Sequence, residues 1–306
     1  MPTINLIAPD YKPNTTKLVG PLNDQVILEW NSNPKFSPAK NRVATLSLSG
    51  GEIKAMDLGL NGQQMPSYIY EDKIAVSYLE SFKPQRGFIL SGKNITWLSS
   101  PNNDKKTSIQ AFKIDENGVY GTARTSTSMT GCLWDFQGNV IETRSTYILG
   151  AYNGQLITED FKVNLPESFG SSRAFAVRNN KVFVFGFLAG KPQTTANSKT
   201  FIYDLSTNQL SPLFSGNWDH VRPLSYSKDG RYIIGIAVNF AKSNNPPSQD
   251  NVLVDTMTDT LVSMSDLVGL PMGQSAFEFD ESSIICTVWD ESKNAVQLVQ
   301  VKDWTN

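Results

Sequence analysis

The chain has 306 residues, 40% of them apolar and 18% charged, with a formal net charge of −2. That composition excludes a disordered or fibrous chain, and near-neutral charge without an Arg-rich run excludes the basic footprint of a nucleic-acid binder. No window reaches the ~18 consecutive apolar residues of a membrane span.

The first fourteen residues read as a polar, Pro-containing arm with one apolar run, Ile4-Asn-Leu-Ile-Ala8. They lack the basic start and apolar core of a secretory leader, so the expected location is cytoplasmic or within an assembled particle. From residue 15 onward one unit recurs: an alternating strand, a tight turn and a β-branched strand, which is the pattern of a β-hairpin. The sharpest copy is Ser225-Tyr-Ser-Lys-Asp-Gly-Arg-Tyr-Ile-Ile234, where Asp229-Gly230 supplies the positive φ of the turn. Copies start at 18, 67, 111, 174, 225 and 276, giving spacings of 49, 44, 63, 51 and 51. Strand-only repeats of ~40–50 residues are propeller blades.

A second motif follows several copies. Leu133-Trp-Asp135, Ile202-Tyr-Asp204 and Leu253-Val-Asp255 each precede a polar turn and a further apolar strand. An Asp at that place ends the strand and bonds the turn backbone. Each repeat then holds two hairpins, which is one four-stranded blade.

In order, blade one is expected over 15–58, blade two over 67–99 and blade three over 107–144. Residues 145–171 contain a further hairpin, Tyr147–Ile157, followed too soon by the next copy. Counting it as a degenerate blade gives seven blades; treating it as an elaboration gives six. The expectation is an all-β, single β-propeller of seven blades, with six as the alternative. The domains are then 1–14, an arm, and 15–306, the propeller. After 276–288 only one more strand, Ala295–Val301, remains. The last blade is therefore expected to borrow Ile4–Ala8 as its outer strand, closing the ring and covering a sheet edge. Cys132 and Cys286 each lie on an apolar strand of a different blade, and buried free thiols are expected.

The hairpin at 225–234 resembles the Ser-x-Asp-Gly strand–turn–strand of WD40-like and TolB-type β-propellers. That resemblance implies an interaction platform, most often non-catalytic, and brings over no catalytic residue. The sequence departs from true WD40 repeats: Gly-His starts are absent, and the Trp-Asp pairs ending at Asp135 and Asp290 are isolated.

First turns are minimal, whereas second turns are long and polar: 31–41, 80–86, 189–199 and 239–250. Long loops on a rigid scaffold are where binding resides. They carry Lys35, Phe36, Lys83, Arg86, Lys191 and Lys242, a locally basic set on an acidic protein, with Phe36 and Phe82 as apolar tips. A second candidate is Trp218-Asp219-His220-Val221-Arg222 on an interblade link, where Trp218, Asp219, His220 and Arg222 are placed to line a channel mouth and bind an anion or small ligand; a lone His in such a link reads equally as a packing or hydrogen-bonding residue. His220 is the only histidine, which leaves no His-rich metal site or paired acid–base relay. No nucleophile elbow, P-loop or dinucleotide fingerprint is present, and no catalytic residue, metal or cofactor is expected. The leading expectation is a docking component of a larger assembly, a virus or phage particle being the specific setting, with other proteins of that assembly as partners. A glycan- or small-ligand-binding propeller and a propeller hydrolase are the alternatives.

Overall fold

A computed structural model describes residues 2–9, 11–12, 16–31, 41–214, 220–239, 248–275, 278–279 and 283–304. Among them are six β-sheets, five of four strands and one of five, with the topology of a six-bladed β-propeller. Blade 1 comprises Thr16–Leu22, Gln25–Asn31, Asn41–Ser47 and Lys54–Ala55. Blade 2 comprises Gln63–Tyr70, Lys73–Leu79, Arg86–Ser91 and Asn94–Trp97. Blade 3 comprises Ser108–Asp115, Gly118–Arg124, Met129–Trp134 and Val140–Arg144. Blade 4 comprises Phe169–Arg178, Lys181–Leu188, Ser198–Asp204 and Gln209–Pro212. Blade 5 comprises His220–Ser227, Tyr232–Asn239, Ser248–Asp255 and Thr260–Ser263. Blade 6 orders Thr3–Ala8, Ala295–Lys302, Ser283–Asp290 and Met272–Ser275 side by side.

The protein packs as two compact units, one of residues 1–4, 149–284 and 301–306 and the other of residues 5–148 and 285–300. Each has its own core. In the first, Phe183, Val221, Ile233 and Val254 come together; in the second, Ile27, Val43, Ile74, Val76, Phe88 and Leu90 do. The second strands of blades 2 and 3 are buried on both faces, as expected of strands in the middle of stacked sheets.

Six blades replace the expected seven. Ile148–Tyr152 and Gln155–Thr158 pair only with each other, in a two-stranded sheet. Residues 159–168 contain no strand, so nothing supplies the third and fourth strands of a blade. The hairpin is an elaboration between blades 3 and 4, and it accounts for the long spacing of 63 between the copies starting at 111 and 174.

The N-terminal strand does pair beside Ala295–Lys302. Ile7 is buried while Ile4 and Leu6 face outward, the alternation of a half-covered strand. The Tyr11 N–H donates to the Val296 carbonyl at 2.8 Å and extends the match. The inner strand of blade 6 lies at Met272–Ser275, ahead of the expected 276–280. Glu278–Phe279 instead runs parallel to Tyr226–Ser227 of blade 5, covering part of that blade's inner edge.

The Asp-led turns close as their chemistry demands. Asp135 Oδ1 accepts the Gln137 and Asn139 N–H groups at 2.9 and 2.8 Å. Asp204 Oδ1 accepts Ser206 N–H at 2.8 Å, and Asp255 Oδ1 accepts Met257 N–H at 2.9 Å. One regularity is not legible in the sequence. The first strands of blades 1 to 5 each carry a register shift, at Leu18/Gly20, Pro66/Tyr68, Ala111/Lys113, Ala174/Ala176 and Pro223/Ser225. A bulge strengthens twist and unpairs a peptide unit. At blade 3, Ser77 of blade 2 satisfies it: its hydroxyl donates to Ala111 O at 3.0 Å and accepts from Ala111 N–H at 3.1 Å.

Candidate functional site

The second turn of blade 2, residues 80–85, is the best-defined of the long loops. The strand Lys73–Leu79 delivers Tyr78, whose hydroxyl accepts the Gly62 N–H at 3.0 Å and donates to Glu80 Oε2 at 3.4 Å. Glu80 in turn holds the loop. Its carbonyl accepts the Lys83 N–H at 3.1 Å, and Oε1 meets Lys83 Nζ at 2.7 Å. The Lys83 hydrogen bond keeps the Glu80 carboxyl below its ordinary range. On the returning strand, the Arg86 guanidinium lies 3.6 Å above the Trp97 ring. Trp97 packs edge-on to Phe88 and Tyr78, with centroids 5.2 and 5.6 Å away.

Both cations of this loop are therefore engaged by their own neighbours. What the loop presents is Phe82, fully exposed at its apex with φ of 63°. A bulky residue in the left-handed region is a local strain that the surrounding contacts must hold. The sequence marks this loop by its charges and by Phe82 as an apolar tip; the structure shows the charges engaged and Phe82 exposed on a braced turn.

The other expected site residues are dispersed. Lys191 is exposed on the second turn of blade 4, in the other packing unit. Around it Asn197 Nδ2 donates to Pro192 O at 3.0 Å, and Gln193 Nε2 donates to Ser171 Oγ at 3.1 Å. His220 opens blade 5 and is only 2% exposed. Its ring stacks on Phe185 at 5.9 Å, and Nδ1 sits 3.2 Å from the Ser198 carbonyl. A carbonyl only accepts, so Nδ1 carries the proton and Nε2 is the bare nitrogen; among the described residues Nε2 has no partner. Burial lowers the imidazole's pKa, and the Arg222 charge adds to that. His220 is thus a neutral packing group with no surface access, while Arg222 two residues on is exposed. Lys35, Phe36, Trp218, Asp219 and Lys242 lie outside the described residues.

A cleft of about 540 Å³ opens between blades 1 and 2, beside their minimal first turns. Leu22, Ile27, Met56 and Ile74 line its apolar part; Asn23, Asp24, Asp72, Ser91 and Asn94 supply its polar part. The Asp72 carboxylate accepts from Lys73 Nζ at 2.8 Å and from the Ser91 hydroxyl. Those two bonds hold it below the usual carboxylate range, Lys73 contributing most. No single residue marks this cleft in the sequence. It arises where the first turns Asn23-Asp24 and Glu71-Asp72 of neighbouring blades approach each other.

Among the described residues, no group of three or more His, Cys, Asp or Glu side chains is arranged to hold a metal ion. No helix of the described residues is long and apolar enough to cross a membrane.

No protein-family model matches the sequence, and no curated protein matches it either. Solved structures are similar in fold. A puromycin-hydrolyzing peptidase of Mycobacterium tuberculosis matches with a TM-score of 0.54 at 11% identity, over 97% of this chain and 54% of its own. An oligogalacturonate lyase of Vibrio parahaemolyticus matches with a TM-score of 0.53 at 10% identity, over 99% of this chain and 97% of its own. TolB from Acinetobacter baumannii matches at a TM-score of 0.43 and 10% identity, over 94% of this chain and 63% of its own. The protein spans about half the length of that peptidase. Likeness at such identities shows the fold alone.

Proposed function

We propose that this protein is a non-catalytic β-propeller that docks onto another protein of a larger assembly through its second-turn loops, with Phe82 at the centre of the contact. The observation that carries the reading is the full exposure of Phe82 on a loop whose charged side chains are already engaged by their neighbours. Burying a Phe side chain is worth about 1.5–3 kcal/mol, and aromatic anchors on pre-organised loops dominate interface energies. A Phe side chain fully exposed to solvent has no stabilising role in the free protein. No observation in the structure bears on a virus or phage particle as the setting.

Cross-linking mass spectrometry on the protein in its native source, joined to a Phe82→Ala variant, tests this. Cross-links from Lys83 and Lys191 to one other protein, lost in Phe82→Ala at unchanged melting temperature, are expected. Only internal cross-links, or a partner retained by the variant, overturns the proposal.

A second reading is a propeller that binds a small polar ligand, and the cleft between blades 1 and 2 favours it. A blocking substitution there, Met56→Trp, separates the two: it abolishes ligand binding and leaves docking through Phe82 intact. A propeller hydrolase is a third reading, supported only by the name of the similar peptidase.

A further inference from the structure

Three Asn-Gly pairs occur in the sequence: Asn61-Gly62, Asn117-Gly118 and Asn153-Gly154. Asn-Gly is the dipeptide in which a side-chain amide is most open to attack by the next backbone nitrogen, since glycine offers no Cβ to hinder it. The structure treats the three pairs very differently.

At the first, the Gly62 N–H is bonded to the Tyr78 hydroxyl at 3.0 Å. Gly62 is also buried, and a Cβ there would meet the Leu79 carbonyl oxygen at 2.4 Å. At the second, the Asn117 N–H and its side-chain amide are both tied to Asp115 Oδ1, at 2.9 and 3.4 Å. Gly118 is buried at the start of the second strand of blade 3, where a Cβ would lie 2.1 Å from the Trp134 carbonyl oxygen.

The third pair has neither restraint. Asn153 and Gly154 are both exposed, with φ of 48° and 76°, at the tip of the hairpin that belongs to no blade. Nothing lies within 4 Å of where a Gly154 Cβ would sit. No third strand backs this hairpin, and two-stranded ribbons are marginal by themselves, so the turn opens locally without disturbing a four-stranded sheet.

We infer that Asn153 is a self-modification site, the residue of the folded protein that converts to aspartate and isoaspartate. The Gly154 backbone nitrogen attacks Cγ of Asn153 and forms a new C–N bond. The bond from Cγ to the Asn153 amide nitrogen Nδ2 breaks, and ammonia leaves with the proton that the Gly154 nitrogen gives up. The resulting five-membered imide is opened by one water molecule at either carbonyl. Opening at one carbonyl gives aspartate; opening at the other gives isoaspartate, with the backbone rerouted through Cβ and Cγ of residue 153. No electron is transferred, and water is the only co-reactant. The product carries one more negative charge than the starting net charge of −2, at a turn whose Asn occupies the left-handed region.

The test is an incubation of the full-length protein in mildly alkaline buffer at body temperature, with peptide mapping over time. Amide-to-acid mass gain and chromatographic separation of aspartyl from isoaspartyl peptides report each site. In the folded protein, conversion at Asn153 is expected to run roughly tenfold or more ahead of Asn61 and Asn117. In a parallel incubation in denaturant, the three sites are expected to react at similar rates. Comparable conversion at Asn61 or Asn117 in the folded protein overturns the inference. So does an unchanged Asn153 in the folded protein while the denatured protein converts there.

Discussion

The strand contributed by the N-terminal arm can be tested by one pair of substitutions on adjacent residues. Ile7 is 2% exposed, whereas Leu6 beside it is 48% exposed. The Ile7 carbonyl oxygen sits against Gly50, where a Cβ would come within 3.0 Å. The Tyr11 N–H bond to Val296 anchors the arm just beyond. Truncating a buried Ile to Ala removes its transfer energy and leaves a cavity, which costs about 2–5 kcal/mol. The same truncation on an outward-facing residue falls within about 0.5 kcal/mol of zero. In urea unfolding followed by tryptophan fluorescence, Ile7→Ala is expected to lower the midpoint clearly at unchanged slope, and Leu6→Ala to leave it in place. The contrast depends wholly on the strand being seated in blade 6. An undocked arm buries neither side chain, so equal midpoints for the two variants would refute the seating of the strand.

Two further substitutions probe backbone and charge. Gly118→Ala forces a Cβ to 2.1 Å from the Trp134 carbonyl at φ of 133°, and overpacking of this kind costs about 1–3 kcal/mol before the dihedral strain is added. Gly154→Ala, with open space around it, is expected to cost only about 1 kcal/mol of left-handed strain; equal melting temperatures for the two would contradict the packing described at the blade 3 turn. His220 titrates in the folded protein below its ordinary value of 6.5, mainly through burial. The unfolded state then takes up the proton first, so stability is fully present above the unfolded value and falls as pH drops through it toward the folded one. His220→Phe, which keeps the stack on Phe185, is expected to lose less urea resistance between about pH 7.5 and about pH 5 than the parent protein. An identical loss in both would place the imidazole in solvent.

Local chemistry wrote the blades into the sequence. Alternation in the first strand, an Asp-Gly or Asn-Asn turn and an apolar second strand are properties of a dozen consecutive residues. So is the Asp135-, Asp204- or Asp255-led turn, whose bonds span two to four positions. The arm's partner was legible for a topological reason: one blade was a strand short, and Ile4–Ala8 was an apolar run without another place. The blade count was not legible, because the hairpin at 148–158 has the strand chemistry of a blade and differs only in what fails to pair beside it. The site was hardest of all. Lys83 and Arg86 stood out as charges, yet whether each is free depends on Glu80 and Trp97, and the exposure of Phe82 depends on that same bracing. His220 was open to two readings, a channel-lining ligand group or a packing residue, and the choice is decided by Phe185 and the Ser198 carbonyl on the neighbouring blade, 35 and 22 positions earlier in the sequence. The cleft between blades 1 and 2 likewise joins Asn23 and Asp24 to Asp72 and Asn94. Periodicity and turn chemistry act over a few bonds, so the sequence by itself determined the strands and their hairpins. Exposure and encounter are set by which sheets pack face to face, and only the tertiary structure decided them.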